Sequence, residues 1–340
     1  MPTQEKQFRT VARSRCIFCE SEGEVLYKDM VDGLFGAPGV WSIRRCPQKS
    51  CGVLWLDPAP VEADLHIAYE TYFTHVPEGA SAFIPRLRAF LYGCYKAVNS
   101  ALASIVGLRK SQEQIRMMFL GDLKRGKVLD VGCGDGGFLN IMTKAGWSVD
   151  GLDFDAKAIE SAKAQYGLQL RHGDLHGAKY PDNTFDAVTM SHVIEHVPDP
   201  VSLLAEARRV LKPGGHLVVT TPNNRSFGHE KLQRYWVGLD VPRHLNIFTL
   251  STLRECAKRA GFEQIEATST AANADIVLGG SYSIRHFHKH HNRPQINLLR
   301  SIKCAFLQHR EFSLLKENPE SGEEAVLICI KSELEATTPR

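Results

Sequence analysis

Residues 128–139 read VLDVGCGDGGFL, a short Val/Leu run that breaks into glycines and resumes as the helix-like FLNIMTKAG. Few folds accept such a stretch. The chain must leave a strand, turn sharply and enter a helix. Glycines at 132, 134 and 136 remove Cβ atoms where the backbone bends and comes close to a ligand. A second apolar run, SVDGLD (148–153), ends on Asp153, which lies 23 residues after Asp130 (153 − 130). A carboxylate at that place accepts hydrogen bonds from both hydroxyls of a nucleotide ribose.

The text around this loop alternates in the same manner. Strand-like runs KVLDVG (127–132), SVDGLD (148–153), FDAVTMSH (185–192) and HLVVTTP (216–222) are separated by the helix-like AKAIESAKAQYG and PVSLLAEARRVLKPGG. The latter closes on Pro213-Gly214-Gly215, a helix stop followed by a turn. FEQIEATST and AVLICIKS (325–332) supply two further strands. Near-continuous apolar strands between helices predict a parallel sheet covered on both faces, with its ligand at the carboxyl ends of the strands. Asp155 precedes AKAIESAKAQ in the place of a helix N-cap.

A glycine loop followed by an acid serves both NAD and S-adenosylmethionine (SAM), so this pair alone leaves the cofactor open. The wider pattern resolves it. VLDVGCGDGGFL, VDGLDFD, the GDL at 173–175, FDAVTMSHVIEHVPDP and LKPGGHLVVTTPN together resemble class I SAM-dependent methyltransferases, in that family's order and spacing over about 100 residues. The resemblance implies an α/β fold with a seven-stranded, mostly parallel Rossmann-like sheet, and SAM as cofactor. It implies that Asp130 orders the loop, that Gly132 and Gly134 line the amino-acid part of SAM, and that Asp153 with Phe154 takes the ribose side. Asp174 and Leu175 would flank the adenine, and Ser191 and His192 would face the methionine part and the substrate. An NAD enzyme is not expected to carry the EHVPDP and LKPGG segments together. Cys133 reads as a small loop residue rather than a nucleophile.

Methyl transfer from a sulfonium needs a nucleophile held in line and bulk water kept out, and a base only where the nucleophile starts protonated. Histidine suits that role near neutral pH. Glu195-His196 follow the fourth strand, and His244 lies in Pro242-Arg243-His244; His192 is the third histidine in range. YWVGLDVPRHLNIFTLSTLRECAKRAGF (235–262) resembles a segment that walls the acceptor pocket in methyltransferases of glycan, cell-surface and natural-product pathways, which places His244 slightly ahead of His196. Tyr69 and Tyr72 either close over the site or pack in the core.

Cys16-Ile-Phe-Cys19 and Cys46-Pro-Gln-Lys-Ser-Cys51 form two pairs. Four thiolates on two knuckles satisfy tetrahedral, structural zinc; four buried cysteines without metal are the alternative. The first pair has the usual two-residue spacing and the second is widened to four. RRCPQKSCGVLWLDPAP resembles the end of N-terminal zinc modules in a group that includes sugar C-methyltransferases.

Three stretches follow: a zinc-ribbon-like module at 1–60, a helical connector or cap at 61–125, and the methyltransferase domain at 126–340 with an insertion at about 272–323. Residues 276–316 carry seven basic residues against Glu311, a net of +6, among Phe287, Leu299, Ile302 and Phe306. Such a segment lies on an anionic membrane surface, binds a phosphorylated acceptor or forms a solvated lid. His286, His288, His290 and His291 read as solvated loop histidines. The whole-chain net charge of +3 and the lack of an aromatic-interleaved basic stripe give no reason to expect nucleic acid. The N-terminus has no apolar signal core, and Phe90–Leu108 holds Lys96 and Asn99, so an amphipathic helix is expected there rather than a span. A cytoplasmic location is expected, with peripheral membrane contact through 276–316 as one option, and there the nine cysteines stay reduced.

The expected activity is methyl transfer from SAM to an oxygen or carbon of a small or glycan-type acceptor, in surface-polysaccharide, nucleotide-sugar or natural-product biosynthesis. A membrane-surface lipid or quinone methyltransferase and a non-catalytic SAM-binding or zinc interaction protein are the alternatives. Oligomeric state is left open.

Overall fold

The computed structural model describes residues 7–69, 86–290 and 298–333. The N-terminal part contributes β1 (Thr10–Val11), β2 (Glu24–Met30), β3 (Trp41–Arg45), β4 (Leu54–Asp57) and β5 (Ala59–Pro60). A 3₁₀ turn at Glu62–Tyr69 follows, then α1 (Arg86–Val106) and α2 (Leu108–Arg116). Tyr72 lies outside the described residues.

The main sheet is built from β6 (Lys127–Val131), β7 (Ser148–Asp153), β8 (Arg171–His172), β9 (Phe185–Ser191), β10 (Leu211–Pro222), β12 (Gln264–Thr270) and β13 (Glu324–Ile330). Their order across the sheet is β12-β13-β10-β9-β6-β7-β8, and only β13 runs against its two neighbours. This is the seven-stranded, mostly parallel Rossmann-like sheet that the family resemblance implies, with β8 added to the six strands read from the text. Strand order reverses between β6 and β9, so a crevice opens at their carboxyl ends.

Alternation along the strands sorts side chains onto two covered faces. Leu129, Val131, Val188, Met190, Leu217 and Val219 pack against α5 (Pro200–Val210) and α7 (Leu250–Arg259). Val128, Ala187 and Val218 face Met142 of α3 (Gly137–Lys144), together with Trp147 and Met117. α4 (Ala156–Tyr166) starts at Asp155, whose side chain accepts from Lys157 N at 2.9 Å, as an N-cap does. The turn expected at Pro213-Gly214-Gly215 is a bulge inside β10. Pairing with β9 is made at Leu211, lost, and resumed at His216, because proline lacks a donor for the ladder.

A second sheet shows how the first sixty residues attach. β2, β3 and β4 form an antiparallel meander, and its free edge is completed by β11 (Asn246–Ile247) from the core. Trp41, Ile43, Leu54 and Leu56 then share one apolar cluster with Trp236, Leu239 and Ile247, and with Leu278 and Leu307 of the insertion. The insertion is two helices, α8 (Ala274–His290) and α9 (Leu298–Leu314), beside α6 (Phe227–Leu232). His286 and His288 therefore lie on a helix, not on a loop, because the apolar residues Ile276, Val277, Leu278 and Ile284 carry a helical period through the segment; His291 lies outside the described residues. Among the described residues no helix is long and apolar enough to cross a membrane.

Candidate active site

The loop after β6 takes the left-handed backbone at Gly132 (φ 72°), Gly134 (φ 53°) and Gly136 (φ 76°). Gly132 N and Cys133 N donate to Leu152 O at 2.9 and 3.1 Å, which ties the loop to the end of β7. A Cβ at Gly132 would meet Val193 Cγ2 at 2.5 Å, whereas one at Gly134 would meet no atom within 4 Å. The two glycines thus answer to different demands: Gly132 to the protein's own packing and Gly134 to open space.

Asp153 sits beside that space. Its Oδ2 accepts from Gly134 N at 2.8 Å and its Oδ1 from Asp155 N at 2.8 Å. Phe154 follows with 70% of its surface exposed, a large apolar ring left at the rim of the crevice. After β8, Gly173 N donates to Asp153 O at 2.9 Å, Asp174 accepts from Gly177 N at 2.5 Å, and Leu175 is buried. Ser191 ends β9 and receives a hydrogen bond from Thr220 Oγ1 at 3.3 Å. Asp130 is buried behind the loop and accepts from Thr189 Oγ1 at 2.7 Å; burial, with the nearby charge of Asp153, lifts its pKa to about 7. Burial pushes the Cys133 thiol up, which suits a packing residue and not a nucleophile.

The histidines converge on the other side of the crevice. His196 and His244 meet edge to face, with ring centroids 4.7 Å apart. His196 Nδ1 lies 3.1 Å from Arg243 O and 2.9 Å from the Tyr69 hydroxyl. His244 Nδ1 donates to Gly238 O at 2.8 Å, and Nε2 faces Asp240 Oδ2 at 3.8 Å and Glu195 Oε1 at 4.0 Å. Burial and the neighbouring His244 bring His196 down to about 4, so it is neutral at physiological pH. Glu195 is fully buried. Burial works against its charge, but the hydrogen bond and charge of His192 overcome that and hold its carboxyl at about 2. His192 bridges Glu195 Oε1 (3.1 Å) and Glu324 Oε1 (2.9 Å), while Thr221 Oγ1 donates to Glu195 Oε2 at 2.9 Å.

Arg243 anchors this wall, and sequence reasoning missed it. Its guanidinium is fully buried, paired with Asp240 (2.6 and 2.8 Å) and Asp32 (2.8 Å), and donates to Ala68 O at 2.9 Å. Asp32 is set by an Asx turn, accepting from Leu34, Phe35 and Ala37 backbone amides at 2.9 Å. A hint was present: Arg243 sits between Val241-Pro242 and Leu245 in a run otherwise destined for burial, where an arginine needs a carboxylate partner.

The four cysteines also come together. Sγ atoms of Cys16 and Cys51 are 3.6 Å apart, those of Cys19 and Cys46 are 3.3 Å apart, and all four lie within 4.8 Å of one another. A tetrahedron of zinc–sulfur bonds of about 2.3 Å has edges of about 3.8 Å, and a disulfide would need about 2.05 Å. The widened Cys46–Cys51 loop has a structural reason. It presents four successive carbonyls to the core: Lys49 O accepts from Arg225, Ser50 O from Ser251, Cys51 O from Thr249 and Gly52 O from Asn224, at 2.7–3.1 Å.

Comparison with known proteins agrees with this geometry. A family model described as a methyltransferase domain matches residues 109–267. A probable S-adenosylmethionine-dependent methyltransferase of Mycolicibacterium smegmatis is 34% identical over 164 residues, covering 45% of this chain and 60% of that protein. A ubiquinone biosynthesis O-methyltransferase of Klebsiella pneumoniae is 39% identical over 110 residues, 30% of this chain and 45% of its own length. Another of that description, from Thiobacillus denitrificans, is 31% identical over 160 residues, 43% of this chain and 68% of its own. The match thus spans about half to two thirds of these relatives. The chain belongs to the S-adenosylmethionine-dependent methyltransferases.

Proposed function

We propose that the chain methylates an oxygen or carbon of a small or glycan-type acceptor, in a pathway for a surface polysaccharide, nucleotide-linked sugar or natural product, and that its N-terminal cysteines hold a structural zinc. The observation that carries the reading is the edge-to-face pair of His196 and His244 beside the buried Glu195, together with the open space at Gly134 next to Asp153.

Asp130, Gly132, Gly134, Asp153, Phe154, Asp174, Leu175, Ser191 and His192 form the proposed cofactor site. The open face of Gly134 leaves room for a ligand, Asp153 offers its carboxylate to a ribose, and the Phe154 ring is free to stack on a base. When bound there, SAM supplies an electrophilic methyl group. His244 is the proposed base. Its Nε2 faces Glu195 and Asp240, whose carboxylates stabilise the imidazolium formed when it takes the acceptor proton. His196 beside it stays neutral, since two imidazolium rings at that distance repel. Cys16, Cys19, Cys46 and Cys51 fill all four positions of a zinc tetrahedron, which leaves none open for chemistry. The names of the relatives for ubiquinone biosynthesis favour a second reading, a membrane-surface lipid or quinone methyltransferase.

The test is metal analysis with S-adenosylhomocysteine titration, followed by an acceptor screen that monitors S-adenosylhomocysteine formation. Stoichiometric zinc, binding that falls at least tenfold in Asp153→Ala, and turnover that falls at least about 100-fold in His244→Gln with product affinity intact are expected. Unchanged binding in Asp153→Ala removes the cofactor assignment, and unchanged turnover in His244→Gln removes the base.

A further inference from the structure

α1 and α9 lie side by side. The Tyr95 hydroxyl donates to Ser301 O at 2.9 Å, and His309 Nε2 meets Asn99 Oδ1 at 3.0 Å. Beside this seam each helix leaves an apolar row to solvent at three- and four-residue steps, the spacing of one helical face. The α1 row is Val98, Leu102 and Ile105, exposed by 60, 46 and 80%; the α9 row is Leu299, Ile302 and Phe306, exposed by 79, 44 and 67%. Scattered exposed apolar residues need no explanation, but two adjoining rows of them mark a contact surface.

Charge says what the surface contacts. The described side chains of α1, α8 and α9 include Lys96, Arg285, Arg300, Lys303 and Arg310. Their only carboxylates are Glu311, which is buried, and Asp275, which is partly buried and accepts from Gln308 at 3.2 Å. On α9 the exposed residues Leu299, Ile302, Lys303, Phe306 and Arg310 set two cations beside the apolar row, with Lys303 over the Tyr282 ring at 4.3 Å and Arg310 over the Phe227 ring at 5.7 Å.

We infer that the α1–α9 face docks on an anionic membrane surface, with the apolar rows at the acyl boundary and the lysines and arginines among the lipid headgroups. A second copy of the chain would set the same cations against one another with no exposed carboxylate to pair them. Nucleic acid would take the cations but leave the two apolar rows without a partner.

The test is co-sedimentation of the full chain with phosphatidylcholine vesicles, with and without a minority of phosphatidylglycerol, across a salt series. The face predicts pelleting with phosphatidylglycerol vesicles and release at high salt. Phe306→Asp and Leu299→Asp should abolish it, and Lys303→Glu with Arg310→Glu should weaken it at least about fivefold. S-adenosylhomocysteine affinity and circular dichroism should stay those of the wild type in Phe306→Asp and Leu299→Asp, because these two side chains are exposed and lie far in the chain from the glycine loop. Failure to pellet, equal pelleting without phosphatidylglycerol, or wild-type behaviour of Phe306→Asp overturns the inference. So does a concentration-dependent dimer that Phe306→Asp dissolves, which would assign the face to a second copy.

Discussion

The two walls of the crevice are made in different ways. The wall carrying Asp153 is assembled from backbone donors and turns close in sequence: Gly134 N reaches Asp153 across 19 residues, and Gly173 N closes on the end of the same strand. The wall carrying His196 and His244 is assembled from far apart. Asp32 reaches Arg243 across 211 residues, Tyr69 reaches His196 across 127, and the carbonyl of Cys51 takes the Thr249 hydroxyl across 198. One wall is a local code that glycine geometry enforces. The other exists only after the N-terminal strands, the 235–247 segment and the insertion have packed together. Change in the N-terminal part therefore reshapes the histidine side without touching the glycine loop.

Breaking the long-range wall should have the largest effect. In Arg243→Met the buried carboxylates of Asp32 and Asp240 lose their shared cation, at a cost of about 3–5 kcal/mol in urea unfolding. The folded fraction should retain its S-adenosylhomocysteine affinity, since Arg243 does not touch the glycine loop. A cost under about 1 kcal/mol would mean that the buried triad does not hold the wall, and a lost affinity would mean that the walls are not separable.

The local wall is sharpened by comparing two of its glycines. Gly132→Ala places a Cβ against Val193 Cγ2 at a left-handed position and should cost about 2 kcal/mol or more of stability. Gly134→Ala meets open space, so only the backbone cost of about 1 kcal/mol remains. Cofactor affinity should nonetheless fall further in Gly134→Ala relative to its stability loss, by about tenfold or more. If both variants lose stability and affinity in the same ratio, the open space at Gly134 is not where the ligand comes.

The sequence was readable where interactions are short-range. Glycines 132–136, the acid at Asp153, the cap at Asp155 and the apolar strands each act on neighbours a few residues away, so residue type and spacing were enough to place them. The four cysteines were found because thiols on paired knuckles have few other uses. The Cys46–Cys51 spacing looked like a weakness and is a docking surface, which cannot be seen without Thr249 and Arg225 opposite. Arg243 and Asp32 were missed for the same reason: each is an ordinary surface residue until a partner some 200 residues away is known. The insertion was read as basic and amphipathic, but its role in the second core, through Leu278 and Leu307, depends on tertiary packing.

His192 ties the histidine wall to β13, and its titration measures how firmly. It follows the β9 strand end at Ser191 and lies between Glu195 and Glu324. Burial opposes its charge, yet the two carboxylates raise its pKa from 6.5 to about 10, while Glu195 is lowered from 4.5 to about 2. A raised histidine stabilises the fold fully below 6.5 and loses that contribution as pH climbs through about 10; a lowered carboxylate stabilises above 4.5 and loses it as pH falls through about 2. The contribution is therefore complete between pH 4.5 and 6.5. The His192 side chain is 41% exposed, so solvent screens the pair and the effect is the smallest of the three, about 1 kcal/mol. The stability difference between wild type and His192→Gln should peak in that window and shrink steadily toward pH 10. A difference that stays flat with pH would mean that His192 is neutral in the folded chain. The histidine wall would then meet β13 by packing alone, not through an ion pair.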